Sequence, residues 1–447
     1  MTGFRTADSL PCYPEISLMT LLSRSSAFSR ITALAQQRPL HEAFRWLHLH
    51  GQQMLRWQAE LVTIPAPPFG EEKRSLWMAE KFREAGLAAV EIDPVGNVFA
   101  ELGGQSPDLP VVLLSAHLDT VFPASTPLEP ILKDDRLEAP GACDNAAGVI
   151  GMLALAHTLV QNFAASQMPL GARLIFVGNV GEEGEGDLRG VRAIYQRSRH
   201  AGRVTAHIVL DGAGAETAVT QALGSRRYQV TLTGPGGHSF TDAGTPNPIL
   251  VLALALNRLA EISPNLHPDE PRTTMNVGTI QGGTSVNTIP ENATAAVEFR
   301  STDVRQLVSL EVALHRAVED AVESSNTITA TKEKPSNRLN FRIEKIGDRP
   351  AAELPSDSPL LETLRAVDRH LRLHTDLRLG STDANIPLSL GIPAVSLGAG
   401  GEGGGAHTRA EWYSAKNREL GLKRILLLTL AMLEWAGRQR SPSDDFR

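Results

Sequence analysis

Residues 111–119 read VVLLSAHLD, an apolar run that ends in a histidine, a spacer and an aspartate. Val111 to Ala116 has the length and β-branched content of a strand buried on both faces, the signature of a parallel sheet. His117 and Asp119 fall where that strand runs out, and ligands of open α/β sheets gather beyond the carboxyl ends of the strands. Residues two apart on a strand share a face. The pair can therefore address one site, with an imidazole able to bind metal and a carboxylate able to orient a neighbour. A histidine in such a place is also often satisfied within a core, so the remaining ligands must come from elsewhere in the chain.

The rest of the sequence offers them at similar places. Ala172 to Val180 reads as a second buried strand and runs straight into GEEGEGDLRG. Adjacent carboxylates Glu182 and Glu183 at a strand end are costly unless a positive charge sits there; a solvated acidic loop is the bland alternative. Ala206 to Leu210 is another strand, closed by Asp211. Asp144 sits just ahead of an apolar helix over Ala146 to Val160, where it is either an ordinary helix cap or a ligand. A late buried strand at 394–398 leads through the glycine cluster GAGGEGGG to His407. His117, Asp119, Asp144, Glu182, Glu183, Asp211 and His407 thus collect on one sheet edge. Two imidazoles with several carboxylates suit zinc or another borderline divalent ion. So many anions suit two metals sharing a carboxylate, with one acid left over as a general base.

Helices are expected over 41–62, over Glu71 to Ala85 with Gly86 closing it, and over 358–372 and 417–437; strands are expected at 88–92 and 97–101. Between about 225 and 350 the pattern changes. Tyr228 to Thr233 alternates apolar and polar residues, as in an antiparallel strand with one wet face. GPGGH ending at His238, a helix over 247–261, strands around 274–280 and 293–300 and a helix over 303–323 follow. Strand–helix–strand–strand–helix–strand is the order of a split βαβ sandwich. The predicted organisation is an α/β catalytic domain over 41–224 and 351–447, with a mostly parallel sheet flanked by helices. An α+β, ferredoxin-like domain is inserted at 225–350. Residues 1–40 read as an unassigned, loose extension or a start placed too early.

At 447 residues the chain exceeds one ordinary core. Its net charge of −7 offers no nucleic-acid footprint. No apolar run reaches the roughly 18 residues of a membrane span. Cys12 and Cys143 form no disulfide or metal framework, which favours a reducing, cytoplasmic setting.

Taken together, SAHLDTV, GACDNAAG, GNVGEEGEG, the Asp211 strand end, GPGGHS and GGGAHTRAEW resemble the di-zinc metallopeptidases that include peptidase T, aminoacylase, carboxypeptidase G and succinyl-diaminopimelate desuccinylase. The resemblance covers roughly 45–437 and keeps the family's order. It implies His117, Asp144 and Asp211 on one zinc and Asp144, Glu183 and His407 on the other, with cobalt or manganese as possible substitutes. Glu182 would be the general base and Asp119 the carboxylate orienting His117. The insertion would be a lid through which two copies dimerise, with His238 reaching the partner's site to stabilise an oxyanion; on residues alone His238 is equally a turn residue. Asn287 (in SVNTIP) and Arg300 (ending VEFR) match substrate-binding positions, and Gly380–Asp383 (GSTD) matches a substrate-lining turn. The implied reaction is amide hydrolysis in short peptides. Asp211, where acylase and carboxypeptidase relatives tend to carry Glu, points to an aminopeptidase. The alternatives are an N-acyl-amino-acid amidohydrolase or carboxypeptidase, and a catalytically dead binding protein. Gly181, where an Asp is common, and the N-terminal extension depart from the pattern.

Overall fold

The computed structural model describes residues 26–102, 106–163, 171–262, 271–329 and 337–439. Four strands form the centre of the larger sheet. They lie side by side in the order Arg173–Asn179, Val111–His117, Val204–Leu210 and Ala394–Leu397, all parallel. Apart from Thr205, every residue in them is buried. Ladders of Val, Ile and Leu covered on both faces have no wet side to tolerate polar alternation. Each fully buried Leu, Ile or Val contributes about 1.5–3 kcal/mol. Antiparallel strands Val98–Glu101 and Ala88–Ile92 extend one edge, and Thr217–Ala222, antiparallel to Ala394–Leu397, extends the other.

Helix Ala146–Asn162 packs against this sheet with almost every residue buried, which its Ala, Leu and Gly content allows. Its first turn lies so close to the neighbouring strand that a Cβ on Gly148 would meet the Leu210 carbonyl at 2.6 Å. Glycine there lets the helix start beside the end of strand Val204–Leu210. Helix Arg418–Arg438 also lies against the core. Its fully buried Arg424 donates to both carboxylate oxygens of Asp368, at 2.7 and 3.2 Å.

Two expectations are corrected here. The stretch 41–62 is two helices, Arg38–Leu49 and Gly51–Val62, parted at His50. The portion of 1–40 that is described is not a loose extension. Helix Ala27–Ala35 buries Ile31 and Leu34, Leu40 is fully buried, and the helix packs on Pro359–Leu371. Residues 1–25 lie outside the described residues.

Gly224–Thr233, Thr273–Gly282, Asn292–Ser301 and Asn340–Arg349 form a separate antiparallel sheet. Thr273–Gly282 and Asn340–Arg349 are its edges, and helices Pro248–Ile262 and Val304–Thr329 cover it. Its apolar cluster, centred on Tyr228, Val230, Leu252, Phe299 and Leu314, is distinct from that of the larger sheet. A third, small sheet was not read from sequence. It pairs Ile131–Lys133, Arg136–Glu138, Trp412–Ser414 and Glu402–Gly404, and brackets the loop that carries His407.

Candidate metal centre

Four neighbouring parallel strands end on the same side, and the chain beyond each delivers part of one cluster. His117 closes the first, Glu182 and Glu183 follow Arg173–Asn179, Asp211 follows Val204–Leu210, and the loop after Ala394–Leu397 brings in His407. Asp144 enters from the loop before helix Ala146–Asn162. The cap of that helix is not Asp144 but Asn145, whose Oδ1 accepts from the Gly148 N–H at 3.1 Å and the Gly212 N–H at 3.0 Å. Asn145 Nδ2 donates to the Leu210 carbonyl at 2.9 Å. One asparagine therefore fastens the Asp144 loop to the Asp211 strand end and leaves the Asp144 carboxylate free for the cluster.

His117 Nε2 lies 3.1 Å from Asp144 Oδ1 and 3.7 Å from Asp211 Oδ1. His407 Nε2 lies 3.0 Å from Asp144 Oδ2 and 3.1 Å from Glu183 Oε1. The two carboxylate oxygens of Asp144 thus face opposite histidines. His117, Asp144 and Asp211 form one set of possible ligands, and Asp144, Glu183 and His407 form another; within each, the ligand atoms all fall within 4.8 Å of one another. A divalent ion fits the first set by a direct sign. His117 Nε2 and Asp144 Oδ1 are buried and make no hydrogen bond, even at 3.1 Å from each other. Buried polar atoms without partners are costly, and a bound cation would satisfy both. The other ring nitrogen of His117 is 3.2 Å from the Asp119 carbonyl, a contact that places the proton on Nδ1 and leaves Nε2 as the donor to a metal.

Asp119 is fully buried, with Oδ1 3.6 Å from His117 Nδ1. Its own hydrogen bonds hold the next strand end: its two oxygens accept from the Glu182 N–H at 3.0 Å and the Glu183 N–H at 2.8 Å. The two glutamates then take different partners, although with His117 they also form a third set of possible ligands within 4.8 Å of one another. Glu183 turns to His407, while Glu182 Oε1 accepts from Arg349 Nη1 at 3.1 Å. Burial pushes both carboxyls above the usual range, Glu183 to about 7, where the nearby Asp144 charge adds to the effect. The Asp144 hydrogen bond holds the His407 imidazole up at about 9.

Glu411 was not singled out from the sequence. Its buried carboxylate accepts from the N–H groups of Gly141 at 2.9 Å, Cys143 at 2.7 Å and Asp144 at 2.7 Å. It lies four residues beyond His407, so it ties the loops of two ligands together. Its only sequence signal was its place in the His407 motif.

His238, Asn287 and Arg300 are not brought into this cluster. His238 is exposed on the smaller sheet's side, and its N–H donates to Asp242 at 2.9 Å. Asn287 is exposed and pairs with Ser285. Arg300 is half-buried and donates to Glu298 at 2.8 and 2.9 Å. In the 380–383 turn, buried Asp383 accepts from Asn179 at 2.6 Å.

A mainly parallel sheet that presents overlapping His/Asp/Glu triads at its carboxyl edge is an α/β fold with a candidate metal site. Residues 113–431 match peptidase family M20/M25/M40, and the chain belongs to that family. It is 28% identical over 311 residues to a probable carboxypeptidase from Aspergillus clavatus, covering 63% of this chain and 67% of that protein. It spans about half, 55%, of a similar probable carboxypeptidase from Aspergillus flavus at 28% identity. In fold it is similar to a tripeptidase from Staphylococcus aureus (TM-score 0.66, 24% identity, 87% of this chain and 99% of that one). It is also similar to a dinuclear metal-binding M20 peptidase from Bacillus subtilis (TM-score 0.60, 16% identity, 87% and 99%). Among the described residues no helix is long and apolar enough to cross a membrane.

Proposed function

We propose that this protein is a two-zinc exopeptidase that removes residues from the free amino terminus of short peptides. The observation that carries the reading is the sharing of Asp144 between two ligand triads. His117, Asp144 and Asp211 would hold one ion, and Asp144, Glu183 and His407 the other. When bound, the ions would polarise the scissile carbonyl and make water more acidic.

The remaining work belongs to the chain. Glu182, beside the ligands yet engaged by Arg349, takes a proton from the attacking water at its carboxylate and passes it to the nitrogen of the leaving amine. Asp119 holds the Glu182–Glu183 peptide in place. Burial around His117, Asp119 and Glu182 keeps bulk water from these charges. Arg300 and Asn287 would bind the substrate's carbonyl or carboxylate, Arg300 by leaving Glu298. His238 would serve a partner subunit's site. A homodimer through the insertion is supported by exposed Ile280 on edge strand Thr273–Gly282 and exposed Leu250 and Leu254 on helix Pro248–Ile262.

Asp211 and the likeness to a tripeptidase favour the aminopeptidase. The likeness to probable carboxypeptidases favours the second reading, a carboxypeptidase or N-acyl amidohydrolase with the same metal residues. The test is a matched panel of di- and tripeptides, free or N-acetylated, given to chelated enzyme after zinc, cobalt or manganese is restored. Cleavage confined to free amino termini is the expected result. Preference for the acetylated set would transfer the protein to the second reading.

A further inference from the structure

Arg349 is the last residue of strand Asn340–Arg349, an edge of the smaller sheet, where it pairs with Ser225. Its side chain leaves that sheet and enters the metal-site loop, 94% buried at 6% exposure. Nη1 donates to Glu182 Oε1 at 3.1 Å and to Ser381 Oγ at 3.2 Å. Nη2 donates to the main-chain carbonyl of Glu182. One guanidinium therefore grips both the side chain and the backbone of the same residue, which fixes the rotamer of Glu182 as well as the path of its loop. Among the described residues no hydrogen bond reaches Glu182 Oε2, so the grip leaves one carboxylate oxygen free.

Neighbouring contacts join the same two regions without touching Glu182. Arg227 Nη1 donates to the Gly184 carbonyl at 2.7 Å, the Asp348 N–H donates to Asp187 at 3.1 Å, and Arg192 donates to the Asp348 carbonyl and to Asp187 at 3.3 Å. Residues 184–192 are thus fastened along two strands of the smaller sheet, and Arg349 is the contact in that series that reaches the acid.

We propose that Arg349 is a positioning residue for the hydrolytic reaction. It holds Glu182 with Oε2 presented to the reacting water, and it makes the aim of the base depend on how the inserted sheet is seated. The proposal rests on the reading of Glu182 as general base. A misplacement of about 1 Å in such a group costs on the order of 100-fold in rate, and a lysine brings a point charge without the planar fork that fixes both Glu182 oxygens.

The experiment measures kcat, KM and bound metal for the wild type, R349A, R349K, R192M, E182Q and the E182Q/R349A pair, using a peptide the wild type cleaves. The expected result is a kcat about 100-fold lower in R349A with KM within about threefold and metal content unchanged. R349K should recover roughly tenfold, R192M should stay near wild type, and R349A should add nothing to E182Q. Three results would each overturn the proposal: full kcat in R349A; an effect confined to KM, which would make Arg349 a substrate contact; or an equal loss in R192M, which would reduce its role to seating the sheet. If E182Q keeps full activity, the reading of the base fails instead, and that outcome is visible independently of R349A.

Discussion

Replacing Glu411 by Ala tests how the bridging carboxylate is held. The substitution removes an acceptor shared by three N–H groups, at Gly141, Cys143 and Asp144, the first two in fully buried bonds. An unmet buried donor costs about 1–3 kcal/mol. Two such donors and a part-buried third cost more than this buried loop tolerates in place, so residues 141–144 should shift until water reaches their amides. That shift moves Asp144 relative to both His117 and His407. Loss of an outer partner of this kind typically lowers metal affinity 10- to 100-fold, or about 1.4–2.8 kcal/mol. E411Q keeps one acceptor oxygen and should fall between. Affinity is read by titrating metal-free enzyme with cobalt in competition with a chelator of known strength, and folding is checked by thermal unfolding. E411A that binds cobalt with wild-type affinity would refute the reasoning.

Other expectations follow from the same contacts. Glu182→Gln should abolish turnover and keep the bound metal, as seen in parallel activity and metal assays; retained turnover would mean that another group is the base. Arg424→Met leaves Asp368 charged and buried, so urea unfolding should show a loss of about 3–5 kcal/mol, largely restored by adding Asp368→Leu. His207 lies fully buried between Ser115 at 2.7 Å and Tyr195 at 2.8 Å, and burial lowers its pKa from 6.5 to about 3. The unfolded chain therefore takes up this proton first, so the contribution is complete above pH 6.5 and fades as pH falls toward 3. Between those limits each pH unit should remove up to about 1.4 kcal/mol in the wild type but not in H207Q, which unfolding curves at successive pH values would reveal.

The four parallel strands and the acids at their ends were legible because a continuous apolar run followed at once by His, Asp or Glu is a local signal. The strand–helix order of the insertion was legible from a different local signal, the alternation of apolar and polar residues along Tyr228 to Thr233. Local pattern left Asp144 open between helix cap and ligand, and only the Leu210 and Gly212 contacts assign the cap to Asn145. Helix 41–62 broke at His50, a break that periodicity alone does not mark. Glu411, marked only by its place in the His407 motif, and Arg349 were not singled out. The first acts on residues up to 270 positions away and the second 167 away, and neither distance leaves a mark in the sequence around it. The small sheet beside His407 was hidden by three-residue strands, too short to show alternation.

Metal stoichiometry tests the central claim most directly, that Asp144 is shared between two ion sites. Elemental analysis of reconstituted protein should find two ions per chain in the wild type, one in H407A and none held tightly in D144A. A single ion in the wild type, or a D144A variant that retains as much metal as H407A, would contradict it.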